Sequence, residues 1–132
     1  MTRILSALFI LLLAAPSFAA NVWDGLAEVN AIRAQNGLPP FIYDPNLARA
    51  AAGCVNYRAE FGIKGHITVG RGKQLRVLEY DLLPQGAFAN ATGCGTSFGF
   101  WNTCCTYENW TYAGAAWAIG RDGKKYMHIF VR

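Results

Sequence analysis

Residues 44–62 read "DPNLARAAAGCVNYRAEFG", and the fold turns on whether this run is a helix. Asp44 offers a carboxylate to the first free N–H groups of a helix. Pro45 follows at the first helical position, where its missing N–H costs nothing. Leu47, Ala51, Cys54 and Val55 then recur at helical spacing, which predicts a helix to about Phe61 that buries them. Upstream, "NVWDGLAEVNAIRAQNG" (21–37) sets Val22, Leu26, Val29 and Ile32 or Arg33 at the same spacing. It predicts an amphipathic helix ended by a left-handed glycine at Asn36-Gly37. "LPPFIY" (38–43) joins the two as an extended connector, because proline cannot continue a helix and restrains the residue before it. Near the end, "YAGAAWAI" (112–119), "GRDG" and "KKYMHIFVR" (124–132) read as two strands about an Asp122-Gly123 turn. In the second strand Tyr126, His128 and Phe130 face one way and Met127, Ile129 and Val131 the other. Between Gly62 and Tyr107 glycine is frequent and no period dominates; "QLRVLEYDLL" (74–83) fits a strand or a helical turn.

Residues 1–19, "MTRILSALFILLLAAPSFA", carry one early charge at Arg3, an apolar run from Ile4 to Ala15, and small residues at Ser17 and Ala19. This is the pattern of a secretory signal peptide cut between Ala19 and Ala20. The run is shorter than the roughly 20 apolar residues of a spanning helix, and no later segment is longer. The expected product is therefore one domain, residues 20–132, secreted or periplasmic, without a membrane span and monomeric. The formal charge of +4 drops by one when Arg3 leaves. The remaining cations are scattered, with Arg71, Lys73 and Arg76 the densest stretch, so no basic face for nucleic acid can be drawn.

Four cysteines, Cys54, Cys94, Cys104 and Cys105, in an exported chain point to disulfides. Adjacent side chains usually point apart, so Cys104 and Cys105 are expected to reach separate partners at Cys54 and Cys94, with two connectivities open. Each bridge would stabilise by about 2 to 4 kcal/mol. The competing readings are a strained ring joining Cys104 to Cys105 and a four-thiolate zinc site, although the paired C-x-x-C spacing of such sites is absent.

"NAIRAQNGLPPFIYDPNLARAAAGCVNYRAEFGIKGH" (30–66) resembles the opening of the CAP superfamily: cysteine-rich secretory proteins, antigen 5, plant pathogenesis-related proteins and their bacterial SCP-like relatives. The resemblance rests on Asn30-x-x-Arg33, Gly37 to Pro40, Asp44, Leu47, the alanine-rich helix and His66, together with "GRDGKKYMHIFV" near the end. It implies an α+β fold: an α-β-α sandwich, helices on both faces of a central antiparallel sheet, stapled by disulfides. It also implies a cavity of two histidines and two acidic residues that in some members holds a divalent metal. His66 matches the first histidine; Trp101 is followed by "NTCCTYENW" in place of the second, and the glycine-glutamate-asparagine motif is missing. His128 is the candidate substitute histidine, and Glu79 and Glu108 are the carboxylates placed to approach His66. If an ion such as zinc were held, His66, His128 and Glu79 would hold it; otherwise no cofactor is called for.

Ser97 lies in "GTSFG" without the strand-to-helix setting of a nucleophile elbow, and no catalytic residue is assigned. Trp101, Tyr107, Trp110, Tyr112 and Trp117 fit either a ligand groove or the core, with exposure open for Tyr107 and Trp110 and core the better reading for Trp117. Three functions follow. One is a secreted CAP-like binding module with a degenerate cavity near His66 for a protein, lipid or cell-envelope glycan. The others are a divergent metal-dependent hydrolase using His66 with nearby carboxylates, and a small secreted effector or inhibitor.

Overall fold

A computed structural model of the chain describes residues 21–69, 76–77 and 91–132. The expected signal peptide, Glu79 and most of "QLRVLEYDLL" lie outside these residues. The elements run β1 (Val22–Asp24), α1 (Leu26–Gln35), β2 (Ile42–Tyr43), α2 (Pro45–Phe61), β3 (Thr68–Val69), β4 (Arg76–Val77), β5 (Gly93–Phe98), α3 (Cys104–Tyr107), β6 (Tyr112–Ile119) and β7 (Lys125–Val131). The architecture is α+β. The main sheet has the order β1-β6-β7-β5, antiparallel throughout, and β2 adds a short parallel pairing to β6. β3 and β4 pair separately.

The decisive helix forms as its sequence predicts. Asp44 Oδ1 accepts the N–H groups of Asn46 (2.9 Å) and Leu47 (3.1 Å), and Gly62 ends the helix at φ 67°. Leu47, Ala51, Cys54 and Val55 are all buried. The first helix is shorter than its periodicity predicts. Val22 belongs to β1 instead, because Asp24-Gly25 interrupts the helix: Asp24 Oδ1 accepts the Leu26 N–H at 2.9 Å and the Gly25 N–H bonds Ala115 O at 2.8 Å. Gly37 supplies the expected left-handed stop at φ 68°.

Period-2 alternation in β7 divides the core. Tyr126 and Phe130 pack with Leu47, Cys54, Val55, Ala116 and Ala118 beneath α2. Met127, Ile129 and Val131 pack with Leu26, Val29, Trp101, Cys105 and Ala115 beneath α1 and α3. The small residues of "YAGAAWAI" let α2 approach closely. At Gly114 a Cβ would sit 2.0 Å from the Ala48 nitrogen and 2.2 Å from the Leu47 carbonyl carbon, so helix backbone rests directly on strand backbone. Among the described residues no helix is long and apolar enough to cross a membrane.

Two outcomes follow. Gly114→Ala is expected to destabilise the fold by about 3 kcal/mol, because neither backbone can yield. Gly65→Ala, whose Cβ would meet nothing within 4 Å, should change stability by less than about 1 kcal/mol; urea melts of both variants check the contrast. Asp44 Oδ2 also accepts from Arg132 Nε at 2.9 Å. Burial pushes its carboxyl pKa up, but bonds from the Leu47 N–H, Arg132 and the Asn46 N–H outweigh that and hold it below the usual value. The lowered pKa stabilises the fold above the unfolded carboxyl's value of about 4. Asp44→Asn, which keeps a capping oxygen, should therefore cost about 1 kcal/mol at neutral pH. In melts across pH, that gap should close as pH falls through the carboxyl's lowered pKa.

Candidate functional site

Beneath the C-terminal end of α2, the fully buried Arg58 gathers four backbone carbonyls. Its guanidinium donates to Ile63 O (3.1 Å), Ser97 O (3.3 Å), Lys64 O and Met127 O. This fastens the segment leading to His66 against β5 and β7. His66 is exposed, with Nδ1 3.7 Å from Cys94 Sγ on β5. His128, opposite Thr96 and Ala116 in the sheet, is fully buried and stacks on Phe130 with ring centroids 4.9 Å apart. Burial, then the Arg58 charge and His66, holds the His128 pKa well below the ordinary imidazole value, so the ring is neutral.

The structure thus brings His66 and His128 together: their ring centroids are 6.4 Å apart at 88°. Two imidazoles on one tetrahedral zinc, with Zn–N of about 2.0–2.1 Å, would place their centroids roughly 5 Å apart. The pair as placed is wider than that spacing, and Glu79, the expected third ligand, lies outside the described residues. Ser97 is structural, its hydroxyl donating to Phe100 O and lying 3.5 Å from Met127 Sδ.

Glu108 does not join this group. It closes α3 on the opposite side of the sheet, where a second buried arginine acts. Arg33 donates from Nε to Pro39 O (2.8 Å) and from Nη1 to both Thr106 O and Glu108 O (2.9 Å each), with its guanidinium carbon 3.8 Å from the Phe41 ring centroid. Thr103 caps the short helix, its Oγ1 accepting the Thr106 N–H at 3.1 Å. Cys104 is exposed and Cys105 buried. No two sulfurs lie at disulfide distance, so the expected staples from Cys104 and Cys105 to Cys54 and Cys94 are not seen. The layering accounts for this: Cys54 and Cys94 pack in or against the α2-side cluster, and Cys105 in the other.

The aromatic residues divide in the same way. Trp101 is core, its Nε1 donating to Glu28 Oε2 at 2.7 Å. Tyr112 lies under Arg132, whose guanidinium carbon is 3.9 Å from the ring centroid. Tyr107 is exposed, and Trp110 is half-buried with Nε1 donating to Glu108 Oε2 at 2.9 Å.

The cleft expected beside His66 has a counterpart elsewhere. A cavity of about 290 Å³ opens at the far edge of the sheet, lined by Trp23, Asp24, Tyr43, Arg49 and Ala115 among others. β1 and β2 share one edge of β6, pairing at residues 116–118 and 112–113 with the Gly25 N–H bonding Ala115 O between them, and the recess lies where these two short strands meet α2. Trp23 and Tyr43 are 41% and 53% exposed. Trp23 is held by stacking on Trp117, with centroids 4.3 Å apart and planes 17° apart. Sequence reasoning missed this pair by placing Trp23 at the mouth of a helix and Tyr43 in a connector. The Asp24-Gly25 break was the signal that Trp23 precedes the helix. No protein-family model, curated protein or solved structure matches this chain.

Proposed function

We propose that the chain is an exported binding module, a CAP-like α-β-α sandwich, whose cavity between β1, β2 and α2 takes a cell-envelope glycan. The observation that carries this reading is the pair of exposed rings, Trp23 and Tyr43, flanking a recess with Asp24 and Arg49 among its lining. A sugar has the matching chemistry: apolar C–H faces for the rings and hydroxyls for the charged groups. Stacking on Trp117 orients Trp23 before a ligand arrives, which lowers the entropy lost on binding. The volume of about 290 Å³ sits near the lower end for small-molecule sites, roughly 300–1,000 Å³, and suits one or two sugar units of a longer chain.

Titration of solubilised envelope glycan, followed by tryptophan emission or calorimetry, is expected to saturate. Trp23→Ala and Tyr43→Ala should each weaken binding by about tenfold or more, equivalent to about 1.4 kcal/mol. Saturable binding that both variants leave intact would refute the cavity as the site. His66→Ala, near the opposite sheet edge, should leave the affinity within about twofold; a larger loss would move the site to the imidazole pair and favour the hydrolase reading.

A further inference from the structure

The turn of α3 carries a set of donors that neither the cavity nor the imidazole pair uses. Cys104 Sγ and Cys105 Sγ are 4.0 Å apart. A carboxylate oxygen of Glu108 lies with them so that the three donor atoms are all within 4.8 Å of one another. We propose that Cys104, Cys105 and Glu108 form a three-donor site for a thiophilic divalent ion of the zinc class.

Distances separate this reading from a ring closed between the two sulfurs. A tetrahedral zinc with Zn–S bonds of about 2.3 Å holds two thiolates roughly 3.8 Å apart. A disulfide needs about 2.05 Å. From 4.0 Å, metal binding asks the sulfurs to move by a few tenths of an ångström. Ring closure asks for about 2 Å, within a turn that is held from several sides. Arg33 grips the carbonyls of Thr106 and Glu108, Thr103 caps the first turn, and the Glu108 N–H bonds Cys104 O at 3.1 Å. The third donor is also held, because Trp110 Nε1 donates to Glu108 Oε2. Such outer bonds fix ligand geometry at metal sites.

The surroundings supply both an anchor and an opening. Cys105 is buried against β5, its sulfur 3.7 Å from where a Cβ on Gly93 would lie, an ordinary packing distance. Cys104 and Glu108 are exposed, which leaves the fourth position of a tetrahedral ion to water or an exchanging ligand. Cysteine ligates as thiolate, so metal binding releases protons and affinity rises with pH.

The test is a titration of the protein, purified with reductant and exchanged into anaerobic buffer, with Cd²⁺ as the zinc-class probe. Thiolate-to-metal charge-transfer absorption is the readout, with Zn²⁺ competition as a second arm. The expected result is one equivalent bound per chain, with tighter binding as pH rises. Cys104→Ser, at an exposed position that leaves the core intact, should abolish the absorption; Glu108→Gln should weaken binding by about tenfold or more. His66→Ala should not change it, which separates this site from the His66–Cys94 neighbourhood. Absorption that persists in Cys104→Ser, binding lost only in His66→Ala, or affinity unchanged in Glu108→Gln would each overturn the proposal. So would non-reducing peptide maps that show Cys104 joined to Cys105 in protein handled anaerobically with reductant.

Discussion

A buried guanidinium that spends its N–H groups on backbone carbonyls is the interaction on which the arrangement depends, and this chain uses it once on each side of the sheet. Arg58 binds the carbonyls of Ile63, Lys64, Ser97 and Met127, joining the end of α2 to β5 and β7. Arg33 binds Pro39, Thr106 and Glu108, joining α1 to the connector and to α3. Ile63, Lys64, Pro39 and Glu108 lie outside the helices and strands, so their carbonyls look elsewhere for donors, while Ser97 and Met127 tie the guanidinium of Arg58 to β5 and β7. A planar cation with five donors reaches several at once. Removing either side chain would take a donor from several buried or part-buried carbonyls at once, a larger loss than one hydrogen bond.

The consequence for chemistry is a strict division. Along β5, Cys94 and Phe98 pack with the α2 side, whereas Gly93 and Gly95 meet Cys105 and Thr103 on the other. Thus Cys94 keeps company with His66, and Cys104 and Cys105 with Glu108. The two sets of soft and nitrogen donors cannot merge into one four-ligand centre while the sheet stands between them. The aromatic cavity is a third region, made by backbone arrangement rather than by any reactive side chain.

What was legible in the sequence was whatever local rules decide. The Asp44-Pro45 start, the Gly37 and Gly62 stops, the buried face of α2 and the hairpin about Asp122-Gly123 all follow from residues within a few positions of one another. What was not legible depends on partners far along the chain. Arg58 sits at the inward spacing of Leu47, Ala51, Cys54 and Val55 yet was not read as buried, and the helix period says nothing of its carbonyl partners, up to 69 residues away. Pairing of adjacent cysteines with distant ones was inferred without knowing which side each sulfur would occupy; the strand alternation at Gly93-Cys94 decides that only once β5 is paired with β7. Trp23 was read as helical because three residues of strand carry too little pattern to register.

The shared edge of β6 bears on how this protein keeps company in crowded solution. Two and three residues of strand, running in opposite senses, shield that border from solvent. Neither offers a run of vacant amides long enough, or uniform enough in polarity, to template a foreign chain. The same offset that hollows out a recess therefore also blunts a seam along which neighbouring molecules would otherwise stitch themselves together.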